Sequence, residues 1–332
     1  MSEIAALVSA ARNGDERAFQ ELVAPHRREL RAYCYRMAGS LDDADDLLQE
    51  SLLRAWRGIA SFEGRSSIRT WLYRVTWSAC VDALESRPPR TLAVDLGPPA
   101  EADEPLPPPR LDGWVGPCSA TLYAEDSPSP EARYSARESV ALAFLAALQL
   151  LPPKQRAVLL ARDVLGWSAE ECAVELGTSV AGVNSALQRA RDTIDRQAAK
   201  WRPQLPDEPT TRAMLARYIQ AWERADVAAL TALLHEDATL SMPPLPIWLL
   251  GARAIASSVG AMVFAPGGPG AFRFLVTEAN GVPALATYQR DLDGAFVAAS
   301  IQLLVVTGTK IASVTAFLEP RLFPAFELPA RL

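Results

Sequence analysis

Histidine and cysteine are scarce, with 2 and 4 in a chain of 332 residues. The cysteines, Cys34, Cys80, Cys118 and Cys172, lie far apart without metal-ligand spacing. That argues against structural zinc and for a reducing, cytoplasmic setting. No metal and no cofactor are expected. No apolar run reaches the ~18 residues that a membrane span needs. The opening "MSEIAALVSAARNGDERAF" has an early acid and neither a basic n-region nor an apolar h-region, so it does not read as a signal peptide. A fixed-period repeat is also lacking.

What is present is enough apolar material, 49% of the residues, to bury real cores. The length is too great for one ordinary core and implies two or three domains. The formal charge of −6 is unevenly spread. Residues 1–90 carry 13 basic and 13 acidic side chains, whereas residues 91–135 carry 2 and 8 and so hold a net charge equal to that of the whole chain. A bulk isoelectric point near 5.2 therefore does not exclude nucleic acid as a partner of the other segments.

The acidic segment also holds the prolines, in "SRPPRTLAVDLGPPAEADEPLPPPRLDGW", Ser86 to Trp114. Prolines forbid a long helix and favour extended chain, so 91–136 reads as a flexible linker in which "LDGWVGPCSATLY" can dock locally. Before it, residues 3–12, 15–38, 41–60 and 67–85 show helical spacing of apolar residues, as do 137–150, 153–165, 168–176, 179–200, 210–225 and 227–235 after it. Then "ATLSM", "FRFLVTEA", "ALATYQRD", "FVAASIQLLVVT" and "KIASVTAFLE" read as strands, with "NGVP" and "TGTK" as turns.

"DDADDLLQESLLRAW", Asp42 to Trp56, sorts as a helix at about 100° per residue. Ala44, Leu48, Ser51, Leu52 and Ala55 share one side. Asp42, Asp46, Gln49, Glu50 and Leu53 share the other, which points a hydrophobe out of an acidic patch. A solvated face explains the acids but not the leucine. In "LGWSAEECAVELGTSVAGVNSALQRARDTI", Leu165 to Ile194, Ser168 and Glu171 form a capping box and Gly177 supplies a tight turn. Ser179 caps the next helix, whose Val183, Leu187, Ala190 and Ile194 pack inward. Ala181, Asn184, Ser185 and Gln188 fall opposite, and small and amide side chains near a helix N-terminus suit the major groove. Arg189, Arg191, Arg196, Lys200 and Arg202 could hold phosphates. The bland alternative is a helical hairpin with a solvated polar face. In "FEGRSSIRTWLYRVTWSACVDALESR", Phe62 to Arg87, Tyr73, Trp77, Cys80 and Leu84 share a face flanked by Arg65, Arg69 and Arg74. Rings beside arginines suit single-stranded nucleic acid, each base stacking for about 1–3 kcal/mol, although Tyr73 and Trp77 could equally pack on the 41–57 helix.

"DADDLLQESLLRAWR", then F-x-G-x-x-S-x-R-T-W-L-Y-R, then "LPPKQRAVLLARDVLGWSAEECAVELGTSVAGVNSALQRAR", in this order, resemble the group 4 (extracytoplasmic-function) sigma factors of bacterial RNA polymerase. The resemblance implies sigma region 2 over 1–90, for core polymerase and the −10 element, and sigma region 4 over 137–202, for the −35 element. It implies core-polymerase contacts at Asp46, Gln49, Glu50 and Leu53. It assigns the loop Glu63–Ser67, with Arg65 and Ser66, to an unstacked −10 base, and Arg69, Trp71, Tyr73 and Arg74 to the melted strand. The −35 contacts would come from Ser179, Ala181, Asn184, Ser185, Gln188, Arg189 and Arg191. Trp77 and Ser78 depart from the basic or amide residues usual in the family.

Residues 206–332 resemble the SnoaL-like, NTF2-type cone, in which helices pack on a curved sheet that encloses a pocket. The expected fold is thus multidomain: two all-α sigma modules, the second with a helix-turn-helix, followed by an α+β cone. Carboxylates or histidine for proton transfer would be His235, Glu236, Asp237, Glu278 or Asp291, and "LLHEDATL" is expected to shape a helix-to-strand turn. Met242, Trp248, Phe264, Phe274, Tyr288 and Phe317 would line a pocket or fill a core. The tail Pro320–Leu332 carries Leu322, Phe323, Phe326 and Leu328 and needs a surface to cover. The expected protein is a non-enzymatic sigma factor, cytoplasmic and without membrane contact. Its partners would be core RNA polymerase and promoter DNA, with a small ligand or an intramolecular contact for the cone. Two other readings are a DNA-binding regulator that does not engage polymerase, and a ligand-binding or isomerase-like cone fused to a DNA-binding module.

Overall fold

A computed structural model of the protein describes residues 3–101, 104–123, 141–198 and 208–332. Lys200, Arg202, the helix start expected at 137 and most of the junction Trp201–Thr210 lie outside the described residues. The chain forms two compact units, one within Met1–Arg90 and Ala143–Ala199, the other within Thr91–Leu142 and Lys200–Leu332.

The first unit is helical. α1 (Glu3–Arg12), α2 (Glu16–Val23), α3 (Arg27–Ala38), α4 (Leu41–Gly58) and α5 (Ile68–Leu84) come from its N-terminal part. The expected helix over 15–38 is split, because Pro25 lacks the N–H that would continue it and a 3-10 turn at Ala24–His26 takes its place. Gly39, at φ 75°, ends α3, and Ser40 starts α4 by accepting from Asp43 N. Ser67 does the same for α5 through Thr70 N. The later part supplies α6 (Leu142–Gln149), α7 (Pro153–Leu159, extended by a π turn to Val164), α8 (Ala169–Leu176) and α9 (Val180–Ala198). The capping box at Ser168 and Glu171 is formed on both sides, and Gly177 takes the left-handed conformation at φ 59°.

The second unit is an α+β cone. α10 (Glu208–Glu223), α11 (Val227–Leu233) and α12 (Ala252–Val259) accompany a six-stranded sheet ordered β2-β1-β6-β5-β4-β3. Its strands are β1 (Leu234–Ser241), β2 (Trp248–Leu250), β3 (Phe272–Ala279), β4 (Val282–Arg290), β5 (Phe296–Thr307) and β6 (Lys310–Phe317). All neighbours are antiparallel except β1 and β6. Asn280 and Gly281, both at positive φ, make the expected β3–β4 turn. Alternation along the strands gives the sheet two apolar faces. Leu285, Leu304, Val306 and Val314 join the helices around Trp222, and Ala284, Ala286, Ile301, Leu303 and Phe317 form a second core.

The tail covers that second core. Phe323 and Phe326 are buried there, Phe323 meets Tyr288 edge-on at 5.2 Å, and Tyr288 Oη donates to Pro329 O at 2.9 Å. The surface that the apolar tail needs is thus the sheet of its own domain.

The proline-rich segment is extended, as its prolines dictate, but it is fastened rather than loose. Ala100 N donates to Trp248 O at 2.9 Å, Trp248 Nε1 to Gly97 O at 2.9 Å, and Arg110 N to Pro244 O at 2.8 Å. At the other end Cys118 and Asn280 exchange two hydrogen bonds of 3.0 Å. Tyr123 Oη donates to Glu278 at 2.8 Å and accepts from Gly281 N at 2.8 Å. Trp114, Val115, Cys118, Leu122 and Tyr123 are all buried. Extended chain leaves its backbone donors and acceptors unpaired, and sheet edges and turns supply partners for them.

Candidate polymerase and promoter interfaces

α4 packs through Leu41, Ala44, Leu47, Leu48, Ser51 and Ala55. Asp46, Gln49 and Leu53 stand exposed on its far side, Leu53 at 43%, with Glu50 half-buried beside them. Arg54 pins the rim, reaching Glu50 at 2.7 Å and Asp82 at 2.6 Å. The face offers a hydrophobe ringed by carboxylates, suited to a basic partner with an apolar centre.

The α5 face is built differently. Arg65, Ser66, Arg69 and Arg74 are exposed, and Trp71 is half-buried against Phe62 at 5.2 Å. Arg69 makes a forked ion pair with Glu29 and lies 5.1 Å from the Tyr73 ring centre. Burial alone would raise the Glu29 pKa, but hydrogen bonds from Arg69 and His26 outweigh it and hold the carboxyl below its ordinary range. Tyr73 and Trp77, however, are only 3% and 5% exposed. Tyr73 meets Tyr33 of α3 edge-on at 5.7 Å, and Trp167, at the start of the helix-turn-helix, meets Tyr73 edge-on at 6.2 Å and Trp77 nearly stacked at 6.1 Å. Arg74 Nε approaches Glu175 Oε2 at 2.9 Å without hydrogen-bond geometry, and burial raises the Glu175 pKa.

A buried arginine makes a second contact between the two modules. Arg156, 3% exposed, donates to Met37 O at the end of α3, to Gln149 Oε1 at 2.9 Å, and to the carbonyls of Gln149 and Leu151. Burial lowers its pKa to about 10, which leaves it charged at neutral pH. Trp167, Glu175 and the Arg156–Met37 bond escaped the sequence reading because nothing local marks a tryptophan, a glutamate or an arginine for a partner in the other module.

The recognition-helix candidates do share one open face. Ser179, Ala181, Asn184, Ser185, Gln188, Arg189 and Arg191 are all exposed on or just before α9, while Val183, Leu187 and Ala190 are buried. Ser179 Oγ caps the helix by accepting from Gly182 N at 3.1 Å. Gln188 donates to Asp192 at 2.9 Å and Arg191 pairs with Asp163 at 2.6 Å, so both already have partners within the module.

The cone's candidate acids do not converge. His235, Glu236 and Asp237 are exposed on β1 rather than in a helix-to-strand turn, Glu278 receives Tyr123, and Asp291 accepts two backbone N–H groups in the β4–β5 hairpin. The candidate pocket residues also separate. Phe264 and Phe274 surround Trp222, Trp248 sits at the β2 edge, and Tyr288 and Phe317 lie on the opposite sheet face. Trp222, with edge-on Phe264 and Phe272 at 5.3 and 5.4 Å, fills the cone's interior. Among the described residues no helix is long and apolar enough to cross a membrane, and no group of histidine, cysteine or carboxylate side chains is placed to hold a metal.

Comparison with known proteins matches Sigma-70 region 2 to residues 22–88 and Sigma-70 region 4 to residues 141–194. The chain is 44% identical over 324 residues to the ECF RNA polymerase sigma factor SigG of Mycobacterium tuberculosis, covering 97% of this chain and 86% of that one. The chain belongs to the extracytoplasmic-function sigma factors. Another relative of this sigma factor, SigM of the same organism, is 31% identical over 192 residues, 58% of this chain and 83% of its own. The crystal structure of the Mycobacterium tuberculosis extracytoplasmic-function sigma factor SigJ shares the fold, with a TM-score of 0.57 at 23% identity over 92% of this chain and 97% of that one. The function that follows is promoter recognition and transcription initiation with core RNA polymerase, a non-enzymatic role.

Proposed function

We propose that this sigma factor works in the cytoplasm and docks core polymerase through Asp46, Gln49, Glu50 and Leu53 of α4. The −10 strand goes to Arg65, Ser66, Arg69, Trp71, Tyr73 and Arg74, and the −35 duplex to the open face of α9. The observation that carries the docking assignment is Leu53, 43% exposed inside a carboxylate rim. An apolar centre with a charged rim is how a small interface obtains both affinity and steering. Promoter-dependent transcription with purified core polymerase is the test. Leu53→Asp should abolish it and the pull-down of core, while thermal unfolding stays unchanged. Retained pull-down would move the docking site elsewhere.

The cone, in this reading, does no chemistry and takes no ligand in its interior. Its filled centre at Trp222 and its scattered carboxylates support that role. It holds the segment that joins the two sigma modules, along the β2 edge and at the Asn280–Gly281 turn. Asn280→Ala and Trp248→Ala should each speed proteolysis within 91–123, and removal of 206–332 should change promoter transcription several-fold. Unchanged cleavage and transcription would leave the cone without this role.

A further inference from the structure

Arg69, in the first turn of α5, already holds an anion. Its Nε and Nη2 fork onto the carboxylate of Glu29, in the first turn of α3, at 2.9 and 2.7 Å. Glu29 is half-buried and accepts from two further donors, His26 Nδ1 at 2.7 Å and Tyr73 Oη at 3.4 Å. The Arg69 side chain is 48% exposed against 20% for Glu29, so the cation is the more accessible partner. A carboxylate and a phosphate take the same forked N–H donors of a guanidinium. Glu29 therefore occupies on Arg69 an edge that the backbone phosphate of a bound strand would use. Arg65 also has a carboxylate partner, Glu63, but both side chains stand in solvent, where screening leaves such a pair little strength.

We propose that Glu29 is a positioning residue for promoter binding: it competes with the phosphate backbone of the −10 strand for Arg69, which passes from one anion to the other when the strand is bound. This rests on the reading of α5 as the −10 face. The exchange is local to region 2. Its physical basis is the surplus of donors around Glu29. When Arg69 turns to a phosphate, His26 and Tyr73 still donate to the carboxylate, so the half-buried anion is not left without a hydrogen bond. Burial pushes the Glu29 pKa up, yet the hydrogen bonds from Arg69 and His26 bring it below its ordinary range, so the competitor is ionised at neutral pH. A guanidinium tied to a carboxylate also presents less net charge to a polyanion than a free one.

The full-length protein, free of polymerase, is titrated with a labelled single-stranded DNA of mixed sequence and about 12 nucleotides, a length within the usual site sizes. Glu29→Gln keeps the shape and an acceptor but removes the charge. It should tighten strand binding about five-fold and steepen the fall of log affinity with log salt by about 0.7, the increment for one more neutralised phosphate of a single strand. A residue with a purely structural role would weaken binding when replaced and would not steepen the salt slope. Arg69→Ala should weaken binding, and in that background Glu29→Gln should change it by less than about two-fold. Binding of a labelled duplex through α9 should be the same in every variant, and thermal unfolding checks that each is folded. Unchanged or weaker strand binding in Glu29→Gln, with Arg69→Ala still weakening it, overturns the competition and leaves the −10 reading standing. Equal tightening with and without Arg69 makes the effect a general field and overturns the competition too. Unchanged binding in Arg69→Ala shows that α5 is not the strand's face, so the −10 reading fails and the competition with it.

Discussion

The outer face of α9, polar, and the ring face of α5, aromatic, both lie beside basic residues on one side of a helix, yet one is open and the other shut. On α9, Asn184, Ser185 and Gln188 stand in solvent. On α5, Tyr73 and Trp77 lie beneath Trp167. The difference lies in the chemistry of the readers. Amide and hydroxyl groups lose little when exposed to water and would lose hydrogen bonds if covered. Bare rings gain by being covered, so the ring face of α5 packs against an aromatic neighbour of its own chain.

The largest way to break this contrast is at its buried polar base. Arg156→Met leaves the acceptors at Met37, Gln149 and Leu151 without a charged donor and should destabilise the helical unit by about 3 kcal/mol in urea titrations. Duplex binding per folded molecule should be unchanged. Unaltered stability would mean that the two faces differ without help from this anchor.

The acidic face of α4 offers a third case, open like α9 but apolar at its centre. Leu53→Asp should cost core-polymerase binding about 2 kcal/mol or more in a direct affinity measurement, with no change in strand or duplex DNA binding by the free protein. A parallel loss of DNA binding would show that the substitution acts through the fold.

On the open face, Asn184→Ala should weaken discrimination at its base by about 1 kcal/mol, read from competition between promoter and scrambled duplexes. Equal losses on both would make the residue a backbone contact.

The smallest effect belongs to the Glu29 link that steadies Arg69 beside the rings. Its folded pKa lies below the ordinary 4.5, so its contribution is present above that value and is lost as pH falls through the lower folded value. The unfolding midpoint of Glu29→Gln should thus lie slightly below that of the unaltered protein at neutral pH and meet it in acid. A difference that grows on acidification would contradict the assigned direction.

Local patterns were legible wherever their causes are local. The capping box at Ser168 and Glu171, the turn at Gly177 and the strands Phe272–Ala279 and Phe296–Thr307 stand where the residues predicted them. The short strand Trp248–Leu250 and the helix from Ala252 carried no comparable signal, because small residues and glycines in "GARAIASSVGAMVF" dilute any period.

By itself the sequence determined most helices of the two sigma modules and their order, the caps around the helix-turn-helix, the strand-rich end of the chain, and which residues face outward on α4 and α9. These follow from side-chain periodicity and backbone conformation over a few residues. Only the tertiary structure decided that Trp167 covers Tyr73 and Trp77, that Arg156 reaches Met37, that the tail closes over its own sheet, and that the proline-rich segment is tied to Trp248 and Asn280. Each of these joins groups far apart in the chain through stacking, burial or backbone hydrogen bonds. Such forces select a partner by shape and proximity in the folded state, and sequence spacing does not encode that choice.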